Sequence, residues 1–189
     1  MKKSLGVKPY LFPMPVLMIA TYGENHTVDV MNMAWGGISA NNMVALNITE
    51  THKTAKNIKE RGAFTLSVAD AAHLAQADFF GIASGNNMAD KFERSGLHAI
   101  ASERVDAPVI EEFPLTLECK VAELQHDQGG FRVLGEIVNV LADKTVLDAS
   151  GNVDPTKLNA FVFDQFQNGY YAIGEKIGQA WSSGKHLMQ

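Results

Sequence analysis

Runs of alternating and continuous apolar residues predict that most of this chain forms β-strands. "PVLMIATYG" and "TVDVMNMAW" are rich in strand-forming residues, and "GENHT" between them has the chemistry of a hairpin turn. "NMVALNIT" and "AFTLSVAD" indicate two more strands. Beyond Pro108, "PLTLECKVAELQ", "GGFRVLGEIVNVLADK" and a short "TVLD" predict a meander, and the loop "HDQGG" joins its first two strands.

Short helices are predicted between these strands. "THKTAKNIKERG" has small or apolar residues at helical spacing and basic residues in its last turn, with Thr51 as the expected N-cap and Gly62 as the stop. Asp70 is expected to cap "AAHLAQADFFGIA", "MADKFERSG" adds a helical turn, and Asp154 starts "DPTKLNAF". Many closely spaced strands with a few inserted helices favour a mainly β fold, a Greek-key β-barrel with helical excursions.

Length and charge limit the functional classes. The 189 residues, 46% of them hydrophobic, are enough for one core, and the absence of repeats and linkers in the sequence predicts a single domain over residues 1–189. The net charge of -5 and the scattered basic residues argue against nucleic acid as a partner. The apolar runs are far shorter than the ~20 residues of a membrane span, so we expect a cytoplasmic protein with no membrane partner.

The single cysteine, Cys119, excludes an internal disulfide and fits a reducing compartment. Its neighbours alternate as in a strand, so we expect a buried structural thiol. The histidines show neither metal-ligand spacing nor a paired carboxylate, so no metal site is expected. The sequence also lacks the elbow motif that presents a nucleophilic serine, so hydrolysis is not expected.

Six polar residues, "TETHKT" from Thr49 to Thr54, stand where a predicted strand gives way to a helix. A helix start offers free backbone N–H groups and the positive end of the helix dipole, which attract a phosphate or a carboxylate. Threonine hydroxyls and Lys53 would add donors and charge there. Two interpretations are open at this point: an anion-binding cradle, or an ordinary capped and solvated helix start.

Just upstream, "MNMAWGG" places Trp35 beside two glycines and behind two methionines at the end of a β-run. A backbone with glycines can approach a flat ligand closely, and sulfur and indole suit an aromatic ring system. The alternative is that Trp35 belongs to the core and the methionines fill gaps.

Taken together, these segments resemble the flavin reductase-like, FMN-binding split-barrel family. The resemblance runs from "PMPVLMIATYG" through "VDVMNMAWGGISANN", "VALNITETHKTAKNIKERGAFTLSV", "ADFFG" and "ADKFERSG" to "YYAIGEKIGQAW", which is nearly the whole chain. It is nearest to the flavoredoxin-like branch, small FMN proteins that are usually homodimers with the flavin near the subunit interface. The resemblance implies an FMN-binding split β-barrel of the Greek-key type, with short helices.

The resemblance also implies three groups of FMN-binding residues. Those matching the segment that lines the isoalloxazine ring are Asn32, Met33, Ala34, Trp35 and Ser39. Those matching the phosphate-binding start of the first helix are Thr49, Thr51, His52, Lys53 and Thr54. A loop that approaches the flavin matches Ala89, Asp90 and Lys91. Lys91 would stabilise negative charge on the reduced ring; the alternative is a solvated lysine. No residue is expected to act as a general acid or base.

One position departs from the family pattern. Family members that use a nicotinamide often carry a histidine about five residues before the glycine of a "GEV"-like strand, and here Gly130 occupies that position in "GGFRVLGEIV". His126 is predicted to lie in the preceding loop. The departure puts direct oxidation of NAD(P)H in doubt.

Three functional hypotheses follow. The leading one is a flavin reductase-like or flavoredoxin-type oxidoreductase that moves electrons through non-covalently bound FMN. Its donor would be NAD(P)H or a protein. The second is an FMN-binding electron carrier without NAD(P)H turnover, and the third is a split-barrel binding module that has lost flavin. A homodimer is expected, with aromatic area from "YYAIGEKIGQAW"; the alternative is that Tyr170, Tyr171 and Trp181 close their own barrel.

Overall fold

The computed structural model describes residues 1–127 and 130–188. The strands of the described residues are β1 (Met14–Pro15), β2 (Leu17–Tyr22), β3 (Val28–Met33), β4 (Gly36–Ala40), β5 (Met43–Ile48), β6 (Ala63–Val68), β7 (Ala99–Ala101), β8 (Pro108–Ile110), β9 (Leu115–Asp127), β10 (Gly130–Ala142), β11 (Phe161–Asp164) and β12 (Gly169–Ala172). The α-helices are α1 (Lys53–Arg61), α2 (Leu74–Ile82), α3 (Lys91–Ser95) and α4 (Pro155–Leu158). Short 3-10 helices cover Glu24–His26, Ala71–His73, Lys144–Val146 and Lys185–Met188.

Seven strands form one antiparallel sheet in the order β3-β2-β6-β9-β10-β5-β4. Strands β3 and β4 lie at opposite edges of this sheet, yet only Ala34 and Trp35 separate them along the chain. The sheet must therefore curl until its two edges meet at that connector. The result is a split β-barrel with short helices, which confirms the predicted fold class.

Two apolar clusters lie on either side of the curled sheet. One fills the barrel with residues such as Leu46, Phe64 and Phe131, and α1 closes it with Ile58, which is fully buried. The other packs α2 and α3 against the outer side of β2 and β3 through Phe80 and others. Full burial of a side chain of this size contributes about 1.5 to 3 kcal/mol. This second layer fixes α2 and α3 beside β3.

The start of α1 differs from the sequence prediction. The N-cap is His52, not Thr51, and its side chain makes no capping hydrogen bond. The His52 amide donates to the Thr49 carbonyl at 3.1 Å, so the chain makes a tight turn before the first helical residue, Lys53. The predicted stop is confirmed, because Gly62 has a φ of 64° and its amide donates to the Ile58 carbonyl.

Other predicted elements have mixed outcomes. Asp70 caps as expected, although its carboxylate accepts from the His73 amide of a 3-10 turn that precedes α2. Asp154 caps α4 by accepting from the Thr156 amide. The prediction of a strand at "TVLD" is wrong: the Val146 amide donates to the Asp143 carbonyl at 3.1 Å, so the segment satisfies its own backbone as a 3-10 turn.

Cys119 is fully buried in β9, as expected of a structural thiol. Burial, together with the neighbouring Glu118, raises its pKa to about 12, so the thiol stays protonated and unreactive. Among the described residues, no helix is both long and apolar enough to cross a membrane.

Candidate functional site

A cleft opens at the split of the barrel, between β3 and the ends of β5 and β10. Its volume is about 470 Å³. The residues that line it are Met31, Asn32, Met33, Trp35, Asn47, Ile48, Thr49, His52, Gly130, Phe131 and Arg132. Strand β3, Trp35 of the connector and the ends of β5 and β10 supply most of this lining, so the fold itself positions the cleft.

Trp35 is held at the cleft by its backbone rather than by its ring. Its carbonyl accepts a hydrogen bond from the Asn47 amide at 2.9 Å and a longer one from Asn47 Nδ2 at 3.3 Å. The side chain is 50% exposed, so the interpretation of Trp35 as a core residue is wrong. An exposed indole beside Met31 and Met33 provides a flat, polarizable wall.

A second, smaller pocket of about 150 Å³ adjoins the cleft, and we call it the side pocket. It shares Met31, Asn32 and His52 with the cleft. The remaining lining residues are Asp29, Lys53, Thr54, Phe80, Gly81, Ile82, Ala83, Ser84, Gly85 and Lys91. The start of α1, the end of α2 and the start of α3 thus converge on one polar depression.

Asp29 and Thr54 form a buried hydrogen bond at the base of the side pocket. Thr54 Oγ1 donates to Asp29 Oδ2 at 2.6 Å, and both residues are 2% exposed. Gly85 packs directly against the Asp29 carboxylate, where a Cβ would collide with Oδ1. The single hydroxyl proton of Thr54 is therefore committed to Asp29.

Lys91 is a buried cation in the same pocket. It is 4% exposed, and its Nζ donates to the Phe80 carbonyl of α2 at 3.2 Å. Burial lowers the pKa of Lys91; Asp29 opposes that shift and Lys53 reinforces it. The interpretation of Lys91 as a solvated surface charge is wrong. A desolvated ammonium facing a pocket with a second lysine favours an anionic ligand.

Asn32 lines both the cleft and the side pocket, and helix α2 holds its side chain. Its Nδ2 donates to the Ala77 carbonyl of α2 at 2.9 Å. Nearby, the Tyr170 hydroxyl donates to Asp78 Oδ1 at 3.0 Å, and burial, followed by this hydrogen bond, raises the pKa of Tyr170 to about 12. Strand β12 therefore braces α2, which in turn fixes the Asn32 amide.

Eight of the thirteen residues predicted to bind FMN line the cleft or the side pocket. They are Asn32, Met33, Trp35, Thr49, His52, Lys53, Thr54 and Lys91. The other five lie outside the lining of both. They are Ala34, Ser39, Thr51, Ala89 and Asp90.

Local contacts account for the placement of those five. Ala34 is buried in the connector, and Ser39 is exposed on the edge strand β4. Thr51 is exposed, and its carbonyl accepts from Asn86 Nδ2 at 2.9 Å. Ala89 is exposed, and the Asp90 carboxylate pairs with Arg94 Nε at 2.8 Å on α3. Their roles in binding stay predictions.

Sequence reasoning missed several lining residues, notably Asp29, Asn47, Arg132 and the segment 80–85, which begins at the last residue of "ADFF". Asp29 and Asn47 carried a usable signal, because each is a polar residue between apolar neighbours of a predicted strand. Arg132 has the same pattern between Phe131 and Val133, but outward-facing charges on strands are common, so the pattern alone did not single it out.

The departure at Gly130 has a steric cause. A Cβ at this position would lie 2.5 Å from the Ile48 carbonyl oxygen, so β5 and β10 approach too closely for a side chain there. The prediction of a loop at His126 is wrong, because β9 continues to Asp127 and His126 pairs in register with Phe131. His126 Nδ1 lies 4.0 Å from Glu50 Oε1.

The fold and site define a split-barrel protein with an aromatic cleft joined to a cationic side pocket. The flavin reductase like domain matches residues 10–160, and the chain belongs to this family. The chain resembles flavoredoxin of Desulfovibrio vulgaris (Miyazaki F) at 36% identity and a TM-score of 0.92, covering 97% of this chain and 100% of that one.

Two more distant structures share the fold. Flavoredoxin from Methanosarcina acetivorans is 23% identical with a TM-score of 0.89, covering 99% of this chain and all of its own. An FMN-binding protein from Thermus thermophilus with bound 1-cyclohex-2-enone is 16% identical with a TM-score of 0.75, covering 95% of this chain and 98% of that one. A search of curated proteins finds no match to the chain.

Proposed function

We propose that this protein binds FMN non-covalently and transfers electrons through it, as a flavoredoxin-type oxidoreductase. The observation that carries the proposal is the continuity of the two depressions: an aromatic cleft opens into a side pocket with two lysines. FMN has the same two parts, a flat ring and a phosphate. Family membership and the FMN-binding relatives support a flavin ligand.

The residues present fit both parts of FMN. Trp35, Met31 and Met33 offer a polarizable wall for the ring, and the side-chain carbonyl oxygen of Asn47, which also lines the cleft, is an acceptor for its polar edge. Lys53 and Lys91 offer cationic donors for the phosphate. When bound, the isoalloxazine would supply the hydride and electron chemistry, while the protein sets its orientation and electrostatic surroundings.

Thr54 and Lys91 take modified roles in this proposal. Because the Thr54 hydroxyl proton goes to Asp29, Thr54 positions that carboxylate and offers no hydroxyl donor to the phosphate. Lys91 lines the side pocket but not the cleft, so we assign it to the phosphate rather than to the reduced ring. Asp29 opposes the effect of Lys53 on the pKa of Lys91, so it offsets part of the repulsion between the two lysines.

A carrier without NAD(P)H turnover is the second candidate, and the close contact at Gly130 favours it. The position where nicotinamide-using relatives often carry a histidine has no room for a side chain here. His126 is directed toward Phe131 and Glu50, with its ring centroid 6.4 Å from that of Phe131. A protein donor would then reduce the flavin.

The first test is an absorption spectrum and an FMN titration of the purified protein. Oxidised flavin absorbs at about 375 and 450 nm. Lys53→Ala should weaken FMN binding at least tenfold, the loss expected for one charge-assisted hydrogen bond. Lys56→Ala is the matched control, since Lys56 is exposed on the same helix and outside both linings.

The titration discriminates between the hypotheses. Equal FMN affinity of Lys53→Ala and Lys56→Ala would refute the assignment of Lys53 to the phosphate. A colourless protein that does not bind added FMN would favour the third hypothesis, a flavin-free binding module. Anaerobic NADH and NADPH then separate the first two hypotheses: rapid bleaching indicates a reductase, and persistent colour indicates a carrier.

We also propose that residues 1–189 act as one domain and that two copies associate. The C-terminal segment carries apolar side chains that its own barrel does not cover, because Trp181 is 94% exposed and Ile177 is fully exposed. Tyr171 is half exposed as well, whereas Tyr170 packs against Phe161 and the α2 side of its own chain, so of the three aromatic residues only Tyr170 serves its own barrel. A second copy would cover apolar area of this kind.

A further inference from the structure

Arg132 occupies a distinct place at the cleft. Side chains alternate along β10, so Phe131 and Val133 fill the barrel core while Gly130 and Arg132 share the opposite face. Arg132 is exposed and lines the cleft, and it does not line the side pocket. In register it stands opposite Asn47 of β5, the residue that holds the Trp35 carbonyl. Arg132 is therefore the direct cross-strand neighbour of a residue that lines the proposed ring site.

Gly130 presents no side chain on the same face. The Ile48 carbonyl oxygen lies 2.5 Å from where its Cβ would stand, so Arg132 is the first side chain of β10 on this face. A small molecule that approaches the ring from this side meets Arg132 as the cationic group of the cleft lining. Lys53 and Lys91 lie in the side pocket, where the FMN phosphate is assigned.

The charge balance of the site contrasts with that of the chain. The cleft and side pocket together hold three lysine or arginine side chains and one carboxylate, although the whole chain has a net charge of -5 with histidine counted as neutral. A cationic depression in an acidic protein concentrates anions locally and speeds their encounter. FMN phosphate would use the charge of the side pocket, which leaves the charge of Arg132 for another anion.

We propose that Arg132 binds the anionic group, a phosphate or carboxylate, of the small molecule that exchanges electrons with the flavin. Arginine suits this task because its planar fork can donate two parallel hydrogen bonds to either oxyanion. The proposal rests on FMN binding in the cleft. It assigns the selection of the redox partner to a residue two positions from Gly130, on the same face of β10.

The test compares Arg132→Gln and Arg132→Lys with the wild-type protein, each loaded with FMN. Arg104→Gln is the matched control, because Arg104 is exposed and lies outside both linings. FMN loading is checked first by its absorption, so a failure of FMN binding is recognised before any partner is added. Binding of NADP+, which cannot reduce the flavin, is then measured by calorimetry on the oxidised protein.

The kinetic measurement uses two acceptors of different charge. Photochemically reduced protein is mixed with ferricyanide, an anion, or with uncharged p-benzoquinone. Each reduced flavin gives one electron to each of two ferricyanide ions and releases two protons. Arg132→Gln should slow ferricyanide reoxidation about fivefold or more at low ionic strength and leave the quinone rate unchanged. Arg132→Lys should retain most of the ferricyanide rate.

The two measurements identify the source of the anion. If NADP+ binds the wild-type protein and Arg132→Gln weakens its affinity about tenfold, the anionic group is a phosphate of the nicotinamide dinucleotide. If NADP+ does not bind but the selective loss with ferricyanide persists, the partner is another small anionic acceptor. Equal behaviour of Arg132→Gln and Arg104→Gln with both ferricyanide and NADP+ would overturn the proposal.

Discussion

Replacing Lys91 with methionine separates a binding role of this buried cation from a structural one. Methionine keeps an unbranched apolar stem but removes the ammonium, which is 4% exposed and donates to the Phe80 carbonyl. Removing the ammonium relieves the cost of holding a desolvated charge, the same cost that lowers the pKa of Lys91. Leaving the Phe80 carbonyl without this donor costs about 1 to 3 kcal/mol. The two effects oppose each other, so we expect the free energy of unfolding of the apoprotein to change by less than about 2 kcal/mol.

FMN affinity should change much more than stability. Loss of a hydrogen bond from a charged donor costs about 1.5 to 3 kcal/mol, which weakens binding by about 10- to 100-fold. Fluorescence titration of FMN into the apoprotein measures the affinity, and urea unfolding measures the stability. Lys120→Met, an exposed lysine of β9, is the matched control. A Lys91→Met protein that binds FMN normally but is destabilised by more than about 3 kcal/mol would show that Lys91 is structural.

The same variant has a defined pH signature. Burial lowers the pKa of Lys91 below its usual value of 10.5, whereas in the unfolded chain the lysine keeps that value. Between the two pKa values the unfolded state binds more protons, so this lysine makes apoprotein stability rise with pH there. The protonated form is the one that attracts phosphate, so FMN affinity should fall as pH rises through the lowered pKa. Lys91→Met should abolish both slopes, and slopes that persist would assign them to another group.

Three further outcomes are expected. Gly130→Ala places a Cβ 2.5 Å from the Ile48 carbonyl oxygen, so the free energy of unfolding measured in urea should fall by about 1 to 3 kcal/mol. An unchanged urea midpoint would mean that β5 and β10 move apart without cost. Trp35→Ala removes a half-exposed ring, so the unfolding free energy should fall by less than about 1 kcal/mol while FMN binding weakens about tenfold, and equal FMN titrations of variant and wild type would contradict a ring contact. Sedimentation at micromolar concentration should give twice the 20.6 kDa mass of the chain, and Trp181→Ser with Ile177→Ser should shift it toward the single mass; a wild-type monomer would refute the dimer.

Residue patterns predicted those parts of the fold that depend on local chemistry. The hairpin of β2 and β3, the Gly62 stop and the Asp154 cap follow from alternation, glycine conformation and a carboxylate beside free amides. The exact start of α1 did not follow, because the turn from Thr49 to His52 competes with a threonine cap. The run Thr49-Glu50-Thr51-His52 is compatible with either solution.

The composition of the site depends on long-range pairing, which no local pattern specifies. Lys91 is buried because α3 packs beside β3 and its ammonium reaches the Phe80 carbonyl, eleven residues earlier in the chain. Arg132 joins the cleft only because β10 pairs with β5 in the register that places it opposite Asn47. Asp29 was detectable as a carboxylate in an apolar strand, but its partner Thr54 lies twenty-five residues away.

The position of the cleft follows from a topological constraint. The edge strands β3 and β4 are joined by only Ala34 and Trp35, and we call this connector the joint. The sheet must close at the joint and can open only away from it. Trp35 lies in the joint, so its indole is fixed at the edge of the opening by the Asn47 hydrogen bonds to its carbonyl rather than by side-chain packing. Asn47→Ala removes the side-chain bond to the Trp35 carbonyl and keeps the backbone one, so it should loosen the joint in part and shift the aromatic wall without emptying the core. The expected signature is weaker FMN binding with a nearly unchanged unfolding free energy, and a large loss of stability would show that Asn47 instead maintains the barrel.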